Sequence, residues 1–221
     1  MKMYKKVMAA ALAGVMTVSM SATAFAADDD GYILKATNED SKSSDNDLVI
    51  AIEGSVSSMD PANIPDTNAI SATRGVYETL VSFDENQELT GKLAESWEVS
   101  DDSLTYTFKL RQGVKFQDGT DFNAAAVKAN YDRVVNKDNN LRQRRTFIVT
   151  NEDGSETPRV DSIETPDDYT LVIKLTQAWA PFINRLTQFC IISPAALEEY
   201  GNDIMNHPCG TGKTGNHLYR R

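Results

Sequence analysis

The sequence predicts an α+β protein, and three observations carry that prediction. Leu104, Tyr106, Phe108 and Leu110 alternate with polar residues, and so do Tyr169, Leu171, Ile173 and Leu175. That period of two belongs to half-buried strands with one wet face. Between them, Val127, Tyr131 and Val134 recur at helical spacing behind Asn123, a residue type that caps helices. Strands and helices then mix between residues 69 and 203 without regular alternation, which argues for α+β.

The elements follow in order. Residues 1–26 read as a secretory signal peptide: Lys2, Lys5 and Lys6 lead an apolar stretch from Val7 to about Val18, and Ala24-Phe25-Ala26 offers a cleavage site. The apolar run is short for a membrane span. No cysteine follows the cleavage region, so a lipid anchor is not expected and a soluble periplasmic protein is. Residues 27–47 are polar and acidic, with too few apolar groups to offset the entropy of ordering, and read as a flexible leader. Leu48–Ile52 is a run of apolar, mostly β-branched residues and predicts a covered strand. Glu53-Gly54-Ser55 turns out of it, and Asp60-Pro61 and Pro65-Asp66 mark loops. A helix is expected from Thr67 or Asn68 to about Leu80, with Ile70, Thr73, Tyr77 and Leu80 on one side. Val114–Phe116 is read as extending the sheet, Asp118-Gly119 and 151–155 as turns, and Ala124–Val135 as a helix. Pro181 opens a short helix through Leu186. Ser193-Pro194 opens another, which Gly201 ends.

Composition excludes some functions. The chain has 221 residues, 41% hydrophobic and 24% charged, enough for a core in one domain or two small ones. A net charge of -10 repels phosphate backbones, so nucleic acid is not an expected partner. Two cysteines, Cys190 and Cys209, make no disulfide framework; the simpler expectation is one buried thiol and one incidental one, with pairing in an oxidising compartment left open. His207 and Cys209 lie close together, but no second pair at ligand spacing accompanies them, so zinc is not expected.

Catalysis finds little support. His207 and His217 are the only histidines, and no Gly-x-Ser-x-Gly elbow exists for a hydrolase nucleophile. Glu95, Glu98, Asp101 and Asp102 sit in a polar stretch read as turn-like and solvated, although paired carboxylates for a glycosidase stay open as an alternative. Gly210–Thr214 imitates the end of a phosphate loop, but His207 stands where that loop needs glycine. Arg142, Arg144 and Arg145 can hold an anion, and a solvated surface is the simpler reading.

The stretch Tyr106 to Tyr131, YTFKLRQGVKFQDGTDFNAAAVKANY, resembles the signature region of family 5 solute-binding proteins, the oligopeptide/dipeptide type of ABC importers. Ser58-Met-Asp-Pro61, Val76-Tyr-Glu-Thr-Leu80, Leu93-Ala-Glu-Ser-Trp97, Ile192-Ser-Pro194 and His207-Pro-Cys-Gly-Thr-Gly212 resemble further family landmarks in the right order. Phe182–Gly201 looks most like the glutathione- and dipeptide-binding members. The resemblance implies a periplasmic-binding-protein-like fold (type II, cluster C): a two-lobed clamp with a hinge, monomeric and without a cofactor, that captures peptides or glutathione for ABC permease subunits. It implies a binding protein and no enzyme; a secreted enzyme, or a sensor on the same fold, is the alternative.

By analogy, residues 48–68 and 204–212 form part of lobe I and 69–203 an α+β subdomain (domain II-like). Residues 213–221 match nothing in the family, and the second lobe is expected to be missing, so the chain alone is expected to bind ligand poorly. Candidate ligand-facing residues are Glu53, Gly54 and Ser55 after the first strand, and Thr187, Gln188 and Phe189 before Cys190. Loops at strand ends host sites, although a plain turn accounts equally for the first group and core packing better for Phe189.

Overall fold

The computed structural model describes residues 54–212 in full and the backbone of 33–35 and 49–51. The expected signal peptide, the rest of the leader, Glu53 and the tail 213–221 lie outside the described residues. Strand β1 (Ile33–Lys35) pairs antiparallel with β2 (Val49–Ala51), so the stretch read as a flexible leader contains a strand. Ile33 and Leu34 are its local run of apolar residues, and the pairing satisfies their main-chain groups.

The centre of the fold is a four-stranded antiparallel sheet in the order β5 (Ala94–Val99), β6 (Thr105–Leu110), β10 (Thr170–Leu175), β9 (Val160–Asp167). The two strands read from alternation are its inner pair, with Phe108 opposite Leu171 and Tyr106 opposite Ile173. All four of these side chains are buried, as are Leu110 and Leu175. Each such burial contributes roughly 1.5–3 kcal/mol of transfer free energy. Small antiparallel hairpins flank the sheet: β3 (Val81–Phe83) with β4 (Leu89–Gly91), and β7 (Ile148–Thr150) with β8 (Glu156–Pro158).

The helix Ala124–Val135 forms as expected, with Asn123 Oδ1 accepting from Ala126 N at 3.0 Å. It packs against β9, against the helix Pro194–Tyr200 and against the short helix Arg144–Phe147. Asn130, buried on its inner face, ties it to the chain beyond: its amide donates to Ile192 O at 2.7 Å and accepts from Ile192 N at 3.0 Å. Ser193 caps Pro194–Tyr200, and Phe182–Arg185 runs on as a tighter turn through Gln188.

Four expectations are corrected. The helix expected over 67–80 spans only Thr67–Thr73, capped by Asp66, because the chain turns at Arg74–Val76 and carries Tyr77 and Leu80 into the core by another route. Ile70, expected on one side of the helix with Thr73, Tyr77 and Leu80, is exposed while those three are buried. Glu95 and Glu98 lie on β5, an edge strand, rather than in a turn; both are exposed, which hid the strand's period. Val114–Phe116 does not join the sheet, and Lys115 only bridges to Asp121 across the Asp118-Gly119 turn.

That turn carries a pH-sensitive contact. Burial acts to raise the Asp118 pKa, but hydrogen bonds from Ser193 and Thr120 outweigh it and hold the carboxyl below its usual range. A depressed carboxylate pKa adds stability above the unfolded value and loses it as pH falls through the folded one. Melting temperature is therefore expected to fall more steeply below about pH 4 in the parent than in Asp118→Asn, which has no carboxylate to titrate. Parallel curves from pH 7 to pH 3 would remove Asp118 from the acid response.

Candidate functional site

Residues 54–68 form a compact loop whose ends meet. Gly54 sits at φ 105°, a left-handed conformation that favours glycine, and a Cβ there would lie 2.7 Å from Asn68 Nδ2. Ser57 Oγ donates to the Asp66 carboxylate across the same throat. That bond, with the Ala69 amide, holds the Asp66 pKa down. Gly54 and Ser55 are exposed, while Val56 and Met59 are buried and seat the loop. This arrangement is a packed surface loop of the kind that often carries function.

At the loop's far end stands a buried ion pair. Asp60 Oδ2 accepts from Arg133 Nη2 at 2.6 Å and Oδ1 from Nη1 at 3.1 Å, with side chains 8% and 11% exposed. Asp60 Oδ1 also accepts from Ala62 N at 3.0 Å and opens the short turn Pro61–Asn63. Tyr77 is buried near this pair; burial, and then the Asp60 charge, push its phenol pKa well up.

The second candidate segment leans on the first. Gln143 N donates to Ala62 O at 3.0 Å, and Gln143 Nε2 donates to Gln188 O at 2.7 Å. Thr187 is half-buried, its hydroxyl donating to Asn184 O at 2.7 Å, and Gln188 is exposed. Phe189 is 3% exposed and meets Phe147 edge-on at 5.3 Å, so the structure places it in the core. Arg144 is spent on Glu156 through bonds of 2.7 and 2.8 Å, and Arg142 and Arg145 are exposed.

The landmark His207–Gly212 forms a strap laid on the main chain of the turn after Thr67–Thr73. Gly212 N donates to Val76 O at 2.8 Å, and Gln117 holds Gly210 N at 3.2 Å and Gly212 O at 2.9 Å. A Cβ on Gly210 or Gly212 would fall 2.2 Å from a backbone oxygen, Val76 O or Gly75 O respectively. Thr211 donates to Glu78, which also pairs with Lys92. His207 stacks on Tyr200 at 4.0 Å and meets Asp203 at 3.3 Å. Both cysteines are free thiols: Cys209 is buried, and desolvation pushes Cys190 up to about 12. Among the described residues no group of histidine, cysteine and carboxylate side chains is placed to hold a metal, and no helix is long and apolar enough to cross a membrane.

Known structures share this fold. The Helicobacter pylori periplasmic binding protein DppA, ABC transporter-associated and solved with the peptide STSA, matches at 31% identity and a TM-score of 0.60, over 75% of this chain and 35% of that one. The A. tumefaciens R10 protein AgaA, solved with agropinic acid, matches at 28% and a TM-score of 0.64, over 72% and 30%. The fold is thus that of the periplasmic binding proteins. The model of the bacterial extracellular solute-binding proteins, family 5 Middle, matches residues 88–213, and the chain belongs to that family. Among curated relatives, the glutathione-binding protein GsiB of Shigella dysenteriae serotype 1 is 39% identical over 201 residues, 90% of this chain and 34% of that protein. GsiB of Salmonella typhi is 43% identical over 168 residues, 75% and 31%. The chain spans about a third of the length of these relatives.

Sequence reasoning named the loop at Gly54 and the segment at Thr187 only as candidates. It did not foretell the contacts Asp60–Arg133 and Gln143–Gln188, which span 73 and 45 residues. The one local signal was an acid directly before proline, which opens a turn and keeps a carboxylate near the main chain.

Proposed function

We propose that the protein is the solute-capturing component of an ABC importer, taking dipeptides, oligopeptides or glutathione outside the cytoplasm and passing them to permease subunits. The observation that carries this reading is the 39% identity over 201 residues to a glutathione-binding protein. The peptide held by the H. pylori neighbour supports the same ligand class. In this reading the protein works in the periplasm as a monomer, binds without transforming its ligand, and grips it in a cleft closed by a hinge. Closure excludes water and strengthens the remaining hydrogen bonds, while hydrated side pockets leave specificity broad.

Gly54 and Ser55, with Thr187 and Gln188, are the positions proposed to face the ligand, and Glu53 joins them from outside the described residues. Phe189 supports them from the core by packing on Phe147. Deleting the gene from its host is expected to lower uptake of radiolabelled glutathione or dipeptide, and restoring it in trans to recover uptake. Unchanged uptake of every peptide tested, with loss of a sugar or a metal complex instead, would replace the ligand class.

A further inference from the structure

The loop 54–68 is closed at its throat and pinned at its apex. Ser57 and Asp66 join the throat, and Gly54 rests against Asn68. A loop fastened only there is free to rock about that closure. The apex removes this freedom: a two-pronged carboxylate–guanidinium contact fixes direction as well as distance. Arg133 sits on the helix Ala124–Val135, which is itself seated on β9. The same carboxylate oxygen that accepts from Arg133 Nη1 also accepts from Ala62 N. Ala62 O then takes Gln143 N, and the Gln143 side chain takes Gln188 O. One line of bonds therefore runs from Arg133 through Asp60, Ala62 and Gln143 to Gln188, linking both segments proposed to face the ligand.

We infer that Asp60 and Arg133 are positioning residues of the binding site: without touching ligand, their pair holds the loop 54–68 and, through Gln143, the segment Thr187–Gln188 in one fixed relation. The link to binding rests on the proposed function, whereas the fixing of the loop stands without it. Buried pairs add little net stability against apolar substitutes, so a role in specifying geometry suits the cost of burying two charges.

The test uses the full chain with Arg133→Lys, which keeps the charge but loses the fork, and Asp60→Asn, which keeps the shape but loses the charge. Amide hydrogen exchange is measured without ligand, and glutathione affinity by titration calorimetry. Amides of residues 54–64 and Gln143 are expected to exchange about tenfold faster in both variants, while in Arg133→Lys the amides of β6 and β10 keep their parent rates. Where the parent chain binds glutathione, its Kd is expected to rise about fivefold or more in both variants, and Arg133→Lys, which keeps both charges in place, is expected to change the melting temperature little. Unchanged loop rates, or acceleration shared equally by β6 and β10, would reduce the pair to a general stabiliser and overturn the inference. A loosened loop with parent-like glutathione affinity would also overturn it. A parent chain that binds no glutathione takes the calorimetric arm out of the test, and the exchange result then decides the positioning claim by itself.

Discussion

Arg133→Met is expected to cost about 3–5 kcal/mol of folding stability, the typical loss when one partner of a buried ion pair is removed. The reason lies in what is left behind. Asp60 is 5% exposed, so its carboxylate would stay out of water without its cation. Ala62 N alone does not compensate a full charge. Urea titration reads the loss as a lower midpoint at unchanged slope. The double variant Asp60→Leu with Arg133→Met is expected to recover most of it, since apolar groups of similar size replace buried pairs at little net cost. A single-variant loss below about 1 kcal/mol would mean that water reaches Asp60.

Asn130→Ala comes next, at about 2–4 kcal/mol, counting two backbone groups left without partners at roughly 1–2 kcal/mol each. Asn130 is 2% exposed and satisfies both the N–H and the C=O of Ile192, itself 1% exposed. Alanine offers neither a donor nor an acceptor. Asn130→Asp separates the two contacts, because it keeps the acceptor for Ile192 N and removes the donor to Ile192 O. Chemical denaturation should place the alanine variant at least about 2 kcal/mol below the parent and the aspartate variant apart from it, and a parent-like alanine variant would show that Ile192 finds other partners.

What the sequence disclosed follows from how locally each feature is encoded. Asn123 and the apolar positions behind it define the helix Ala124–Val135 within a dozen residues. The inner strands β6 and β10 show their period because one face meets the core along their length. Edge strands do not: β5 buries Ala94 fully and Trp97 only in part, and β9 carries Glu164 and Pro166 within its span. The end of Thr67–Thr73 was overrun because Tyr77 and Leu80 keep helical spacing although the chain has already turned at Gly75. In the candidate loop, the turn at Gly54 was legible from the glycine after an apolar run. The contacts among Asp60, Arg133, Gln143 and Gln188 were not, since pairing across such separations is set by the assembled fold.

Along Gly210–Gly212 main chain rests directly on the main chain of Gly75 and Val76, with the Gln117 side chain bonded alongside. Such a seam behaves as a rigid weld. A pull exerted on the polypeptide past His207 would enter the body at Val76 and Gln117 rather than dissipate in a pliant linker, and the hydrogen bonds to those two residues would bear the load together.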